Sequence, residues 1–259
     1  LLPRFMTLPE RYLVGPELSF MVEWFFSPVI FCFMAIVARM IYRNSILAEA
    51  RADQLLLNIL PAGIAERLKE GEEYIAERFP DVSIIFVDVV GFTKLSSQLE
   101  PNEVVRILDS VFRKFDDVSE SFDVEKIKTI GDGYMAAAGV PKADPMHAEN
   151  AARAALAFCR SVRNSEDEYG FKLQIRVGIH TGAVVAGVIG RKKFIYDMWG
   201  DTVNIASRME SHGEAGKVHV SKAFMDKLKK DFEFSKRGEI EIKSKGRMET
   251  FFLTGPKKA

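Results

Sequence analysis

Cysteine is almost missing from this chain. Only Cys32 and Cys159 carry thiols, far apart and without metal-ligand spacing around them. That excludes a disulfide framework and a cysteine-based zinc site, and a reduced, intracellular catalytic part is the simplest reading. Histidine is scarce too, with four residues scattered along the sequence, so zinc is not expected. Net charge is missing altogether, 36 Lys and Arg standing against 36 Asp and Glu. With no basic field, and no basic stripe interleaved with aromatics, nucleic acid is not an expected partner. Internal repeats and low-complexity tracts are missing as well.

Apolar residues are plentiful. They make up 47% of 259 residues, enough for one domain with a sizeable core and an appendage. Residues 1–19 read as a lead-in punctuated by Pro3, Pro9 and Pro16. Residues 20–42, FMVEWFFSPVIFCFMAIVARMIY, read as a transmembrane helix, uncharged from Trp24 to Ala38. Arg39 and Arg43 mark its cytoplasmic end, which anchors the chain with its catalytic part in the cytoplasm. A cleavable signal fits poorly, because no basic region precedes the apolar run and no A-x-A site follows it. The start at Leu1 leads us to expect an upstream sensor or membrane domain outside this sequence.

Residues 43–78 read as a helical linker. Ile46, Ala50, Asp53 and Leu57 stand at heptad-like spacing, the pattern of a short dimeric coiled coil. Pro61 breaks it, and a second amphipathic turn follows with Ile64, Ala65 and Leu68. Residues 79–259 form the catalytic domain, where strands and helices alternate. Val82–Asp88 is a strand buried on both faces. Pro101–Phe122 is an amphipathic helix with Val104, Val105, Leu108, Val111, Phe112 and Phe115 as its stripe. Glu125–Ile130 and Tyr134–Ala138 flank a hairpin turn, Gly131-Asp132-Gly133. Pro145–Val162 is an Ala-rich helix. Leu173–His180 and Ala183–Ile189 flank Thr181-Gly182 as a second hairpin, and Thr202–Ser211 is a helix. Short strands follow around Lys217–Val220 and Met248–Leu253. The order suggests an antiparallel-rich α+β layer with helices on one face.

Three stretches carry chemistry. In Phe86-Val87-Asp88-Val89-Val90-Gly91-Phe92-Thr93, an acid ends a buried strand and Gly91 turns into a helix. The amides of Gly91, Phe92 and Thr93 then face phosphate, and the carboxylate can hold a phosphate-bridging metal. In Lys126-Ile127-Lys128-Thr129-Ile130-Gly131-Asp132-Gly133-Tyr134, an acid sits in the turn of a hairpin. If the two strands are neighbours, Asp88 and Asp132 meet at one edge, as two-metal displacement at phosphorus requires. In the third stretch, from Phe194 to Glu210, Asn204 and Arg208 lie one helical turn apart on a shared face. An amide beside a guanidinium suits a sugar next to a phosphate.

Together these stretches resemble the class III nucleotidyl cyclase family, from about Phe79 to Leu253. The segment upstream is similar to the membrane-plus-linker architecture of bacterial membrane-bound members. The resemblance implies an α+β fold, a ferredoxin-like antiparallel-rich sheet with helices. It implies an adenylyl cyclase converting ATP to 3′,5′-cyclic AMP and pyrophosphate, with two Mg²⁺ or Mn²⁺ ions on Asp88 and Asp132. By the same resemblance Asn204 positions the ribose and Arg208 stabilises charge at the α-phosphate. Lys243 contacts the β- and γ-phosphates, although Lys245, two residues on, competes for that role. Lys128 and Asp197 match the base-selecting pair of adenylyl cyclases, where guanylyl cyclases carry Glu and Cys. Adenine offers the acceptor and donor that a lysine and an aspartate satisfy, whereas guanine leaves both mismatched. In the family each active site draws on two subunits, so a homodimer with two equivalent sites is expected.

Overall fold

The computed structural model describes Phe20, Trp24 and residues 27–190, 193–242 and 245–257. The chain divides into two compact units, Leu1–Asn58 and Ile59–Ala259. In the first, helix α1 spans Ser27–Leu57, 31 residues without a buried side chain. At 1.5 Å per residue it runs about 46 Å, against a hydrocarbon core of about 30 Å. It is long and apolar enough to cross a membrane by length and composition.

The second unit opens with α2, Ala62–Lys69, directly after Pro61. Ile64 and Ala65 are buried together with Leu60, while Arg67 reaches out to Glu72 at 2.7 Å and also to Glu77. Strand β1 follows as Ala76–Val89, and its register slips between Phe79 and Val82, where Pro80 has no N–H to give. After a short helix α3, Phe92–Ser96, comes α4, Pro101–Ser121. Pro101 pre-sets the first turn of α4, and the Glu103 carboxylate accepts the Glu100 N–H at 3.2 Å. Ile107, Val111 and Phe115 form its buried ridge, whereas Val105 points to solvent. The 100° step of the helix places 107, not 105, in line with 111 and 115.

Strands β2, Glu125–Ile130, and β3, Gly133–Ala138, form the expected hairpin, with Gly131 at φ +62°. Helix α5, His147–Ser161, lies close to the sheet because its buried side is mostly alanine. A short α6, Ser165–Tyr169, leads to β4, Ile175–Ile189. The order β2-β3-β1-β4 is antiparallel throughout, the ferredoxin-like βαββαβ arrangement. Phe115, Tyr134 and Phe158 meet edge to face between α4, α5 and the sheet, with ring centroids 5.1–5.9 Å apart.

The expected hairpin at Thr181-Gly182 does not exist. β4 runs straight through, Thr181 pairing with Ser83 and Gly182 with Val82. Gly182 serves a close approach instead: a Cβ there would lie 2.7 Å from Thr202 Oγ1. The far half of β4 pairs with β5, Ile195–Trp199. Helix α7, Asp201–Ser211, then leads to β6, Val218–Ser221, parallel to β4. Helix α8, Lys222–Leu228, and the hairpin of β7, Phe232–Ile242, with β8, Gly246–Pro256, complete the sheet.

Helices cover both faces. Ile175, Val177 and Ile179 of β4 point into the core shared with α4, α5 and α8. Arg176 and Gly178 alternate to the opposite face, where α7 lies. Helix α7 can press against β4 because Gly178 has no side chain: a Cβ there would stand 1.9 Å from Glu210 N.

Candidate active site

Asp88 is placed by register. Val87 and Val89 enter the core, so Asp88 faces the α7 side, directly opposite Gly133 of β3 and Arg176 of β4. Asp132 precedes Gly133 in the β2–β3 turn, so the two carboxylates come to one edge of the sheet. Burial is the main cause raising the Asp88 carboxyl above its usual range; the Asp132 charge adds to this, and a hydrogen bond from Arg176 opposes it. Gly91, at φ +72°, turns the chain into α3, and the first helical bonds run from Lys94 and Leu95 N–H to Gly91 O. The amides of Phe92 and Thr93 stand in the first turn, where helices lack internal acceptors.

Two residues absent from the sequence reading complete this end. Arg176 donates through Nη2 to Asp88 Oδ2 at 2.6 Å, and its Nε lies 3.1 Å from Glu210 Oε1. Glu210 is pushed up to about 7, chiefly by burial and then by the Asp88 charge. The guanidinium thus stands as a cation between two half-buried acids. The donor set fits divalent ions that share their coordination with phosphate and water. Among the described residues no three His, Cys, Asp or Glu converge as a self-contained cage.

Lys128 and Asp197 meet. Lys128 Nζ donates to Asp197 Oδ2 at 2.5 Å, and the other carboxylate oxygen accepts the Met198 N–H at 2.8 Å. A bulge between Lys126 and Lys128 brings this about. Two residues apart in a regular strand, both lysines would share a face. The extra residue sends Lys126 to Asp116 of α4, at 2.8 Å, and Lys128 to β5.

Asn204 and Arg208 line a cleft of about 350 Å³ with Asp201, Ser207 and Lys245. Lys245 Nζ is 2.5 Å from Asp201 Oδ2. Lys243 lies outside the described residues. Arg208 and Glu210 are two apart on α7, about 200° around the helix. Glu210 therefore turns toward Arg176 and its own chain's Asp88, while Arg208 turns away from them. Between the two halves of the arrangement runs an apolar strip: Val185 opposes Trp199 and Ile189 opposes Ile195, with Gly187 opposite Asp197. These four apolar side chains are 39–59% exposed on the face that also carries Asp197.

The chain matches the adenylate and guanylate cyclase catalytic domain over residues 74–255. It is 44% identical over 210 residues to an adenylate cyclase of Mycobacterium tuberculosis, covering 81% of this chain and 47% of that protein. It is 45% identical over 215 residues to the human atrial natriuretic peptide receptor 2, covering 81% of this chain and 20% of the receptor. The chain thus spans half or less of these relatives' length. Among solved structures it is similar to the catalytic core of a rhodopsin-guanylyl cyclase with converted specificity, in complex with ATPαS. That match has a TM-score of 0.67 and 34% identity, and covers 70% of this chain and 98% of the other. An acid-bearing strand end and hairpin turn on a ferredoxin-like sheet, matched over most of their length, make this chain a member of the adenylate and guanylate cyclase catalytic-domain family, the class III nucleotidyl cyclases.

Proposed function

We propose that the chain is an adenylyl cyclase, forming 3′,5′-cyclic AMP and pyrophosphate from ATP at sites shared between two copies. The observation that carries the choice of base is the Lys128–Asp197 contact. Overall identity is silent on it, because the chain is as similar to an adenylate cyclase as to a natriuretic peptide receptor. Lys128 donates to an adenine ring nitrogen, and Asp197 accepts from the exocyclic amine. Guanine presents a carbonyl oxygen and an N–H in those places and leaves Asp197 and Lys128 mismatched, which costs a buried site heavily.

Asp88 and Asp132 would hold the two Mg²⁺ or Mn²⁺ ions, which supply activation of the ribose 3′-hydroxyl and charge for the triphosphate. The amides of Gly91, Phe92 and Thr93 receive phosphate oxygens. Asn204 orients the ribose for in-line attack at the α-phosphorus. Arg208 stabilises the negative charge that develops there, and Lys243 binds the β- and γ-phosphates. The partition of α7 favours a homodimer: each chain turns Arg208 away from its own Asp88, so a second copy must bring it to the metals. Residues 20–42 anchor the protein in a membrane with the cyclase in the cytoplasm, and residues 43–78 couple it to an upstream sensor.

The test is turnover of ATP and of GTP by the purified chain with Mn²⁺ and with Mg²⁺, across protein concentration. ATP is expected to be preferred, with specific activity rising as copies pair. Lys128→Glu with Asp197→Cys should move the preference to GTP. A wild-type preference for GTP would overturn the reading.

A further inference from the structure

We propose that Glu210 is a positioning residue for Arg176, holding the guanidinium so that Asp88 is free to take a divalent cation. This rests on the two-carboxylate reading of Asp88 and Asp132 given above.

The register makes Asp88 and Arg176 direct cross-strand partners, so their side chains leave the sheet on one face a few ångströms apart. Arg176 Nη2 occupies Asp88 Oδ2 at 2.6 Å. A cation that takes Asp88 Oδ2 has to displace it. A displaced guanidinium left beside two divalent ions is repelled unless a second anion keeps it. Glu210 is the carboxyl group placed to do so. Its Oε1 lies 3.1 Å from Arg176 Nε, and its side chain is 13% exposed against 24% for Asp88. Arg176 Nε and Glu210 Oε1 are both buried and have no hydrogen-bond partner, so the ion pair between them, 3.1 Å apart, is what offsets their burial. Separating them would strand two buried charges, whereas Asp88 exchanges one cation for another. The Asp88 contact is therefore the half that opens, and the Glu210 contact is the half that stays.

The placement of Glu210 is fixed from behind. Gly178 lets the α7 backbone rest on β4 two residues beyond Arg176, on the same face. His219, paired with Gly178, donates from Nδ1 to Met209 O at 2.6 Å and pins the helix end. Glu210 thus reaches Arg176 from a backbone that cannot retreat. With the guanidinium held, its free Nη face remains beside the Asp88 edge.

The experiment is Mn²⁺ binding to the full chain in detergent, followed by electron paramagnetic resonance of free Mn²⁺, alongside turnover kinetics. Glu210→Gln keeps the shape and removes the charge, so Arg176 has Asp88 as its remaining carboxylate. Mn²⁺ affinity should fall about tenfold, with the metal concentration for half-maximal velocity rising as much and kcat at saturating metal changing less. Glu210→Asp should recover part of the affinity. In an Arg176→Ala background the same Glu210→Gln change should have little further effect, because there is no guanidinium left to hold. An equal loss in both backgrounds would mean a general negative field and would overturn the proposal. So would a lowered melting temperature and kcat with unchanged Mn²⁺ affinity, the signature of a purely structural role. If the wild-type chain itself binds no Mn²⁺, the two-carboxylate reading fails first, and Glu210 is then overturned with it.

Discussion

Splitting the two halves of the active site between two inactive chains tests the shared-site reading most directly. Asp88→Ala removes a carboxylate that stands beside Asp132 and Arg176; Arg208→Ala removes the guanidinium on the opposite side of α7. Each change alone should abolish most turnover, since losing one charge-stabilising group costs about 10²–10³ in rate. Mixed as equal amounts with random pairing, about half the dimers contain one chain of each kind. In such a dimer one site collects both lesions. The other joins the intact Asp88 of one copy to the intact Arg208 of its partner. One working site out of two, in about half the dimers, gives about one quarter of wild-type specific activity. The assay is cyclic AMP production by co-expressed chains carrying different tags, and mixed pairs isolated by sequential capture should reach about one half of wild-type. No recovery in demonstrably mixed pairs would refute the argument from the two faces of α7.

The close approach at Gly178 makes a stability prediction. A Cβ there meets Glu210 N at 1.9 Å and Glu210 Cα at 2.5 Å, both backbone, so Gly178→Ala should destabilise by about 3 kcal/mol in urea unfolding. Gly63→Ala, in helix α2 with open space around it, should instead gain up to about 1 kcal/mol. A pH prediction follows from His180 and His219, both lowered to about 4, mainly by burial. Between that value and the ordinary 6.5 the unfolded chain binds more protons than the folded one, so stability falls as pH drops through this window, by roughly 3 kcal/mol per histidine at most. Glu210, raised to about 7, runs the other way, its stabilisation present at low pH and lost as pH rises through 7. The histidine slope is therefore cleanest in Glu210→Gln, and a flat urea midpoint from pH 6.5 to 4.5 there would refute it.

The parts of the site that were legible in the sequence are those set by local rules. An apolar run ending in Asp88, and an aspartate between two glycines, announce a strand end and a turn, and register brings them together. Asn204 and Arg208 share a face because of helical spacing alone. The misreadings have a common cause. Thr181-Gly182 reads as a turn because glycine serves turns and close contacts alike, and only the approach of Thr202 distinguishes them. The expectation of helices on one face failed for a related reason, since the groove that admits α7 is the missing side chain of Gly178. Lys126 and Lys128 are indistinguishable by spacing until the bulge between them separates their faces. Arg176 carries one usable signal, the one Lys or Arg in a largely apolar strand, which marks a part-buried cation in need of an acid.

Glu210 shows why such an acid escapes notice. It is distant in sequence from both Asp88 and Arg176, and its neighbour two positions back, Arg208, faces elsewhere. On a helix pressed against a sheet, a two-residue step changes which surface a side chain serves. Helix α7 uses that step to put a buried acid toward its own chain's Asp88 edge and an exposed cleft outward. A substitution on either face therefore risks the other through a helix that Gly178 and His219 hold rigidly against β4 and β6. Changes of shape in α7 are poor probes of the site for that reason. Changes of charge at fixed shape, such as Glu210→Gln, separate what the helix holds from how it is held.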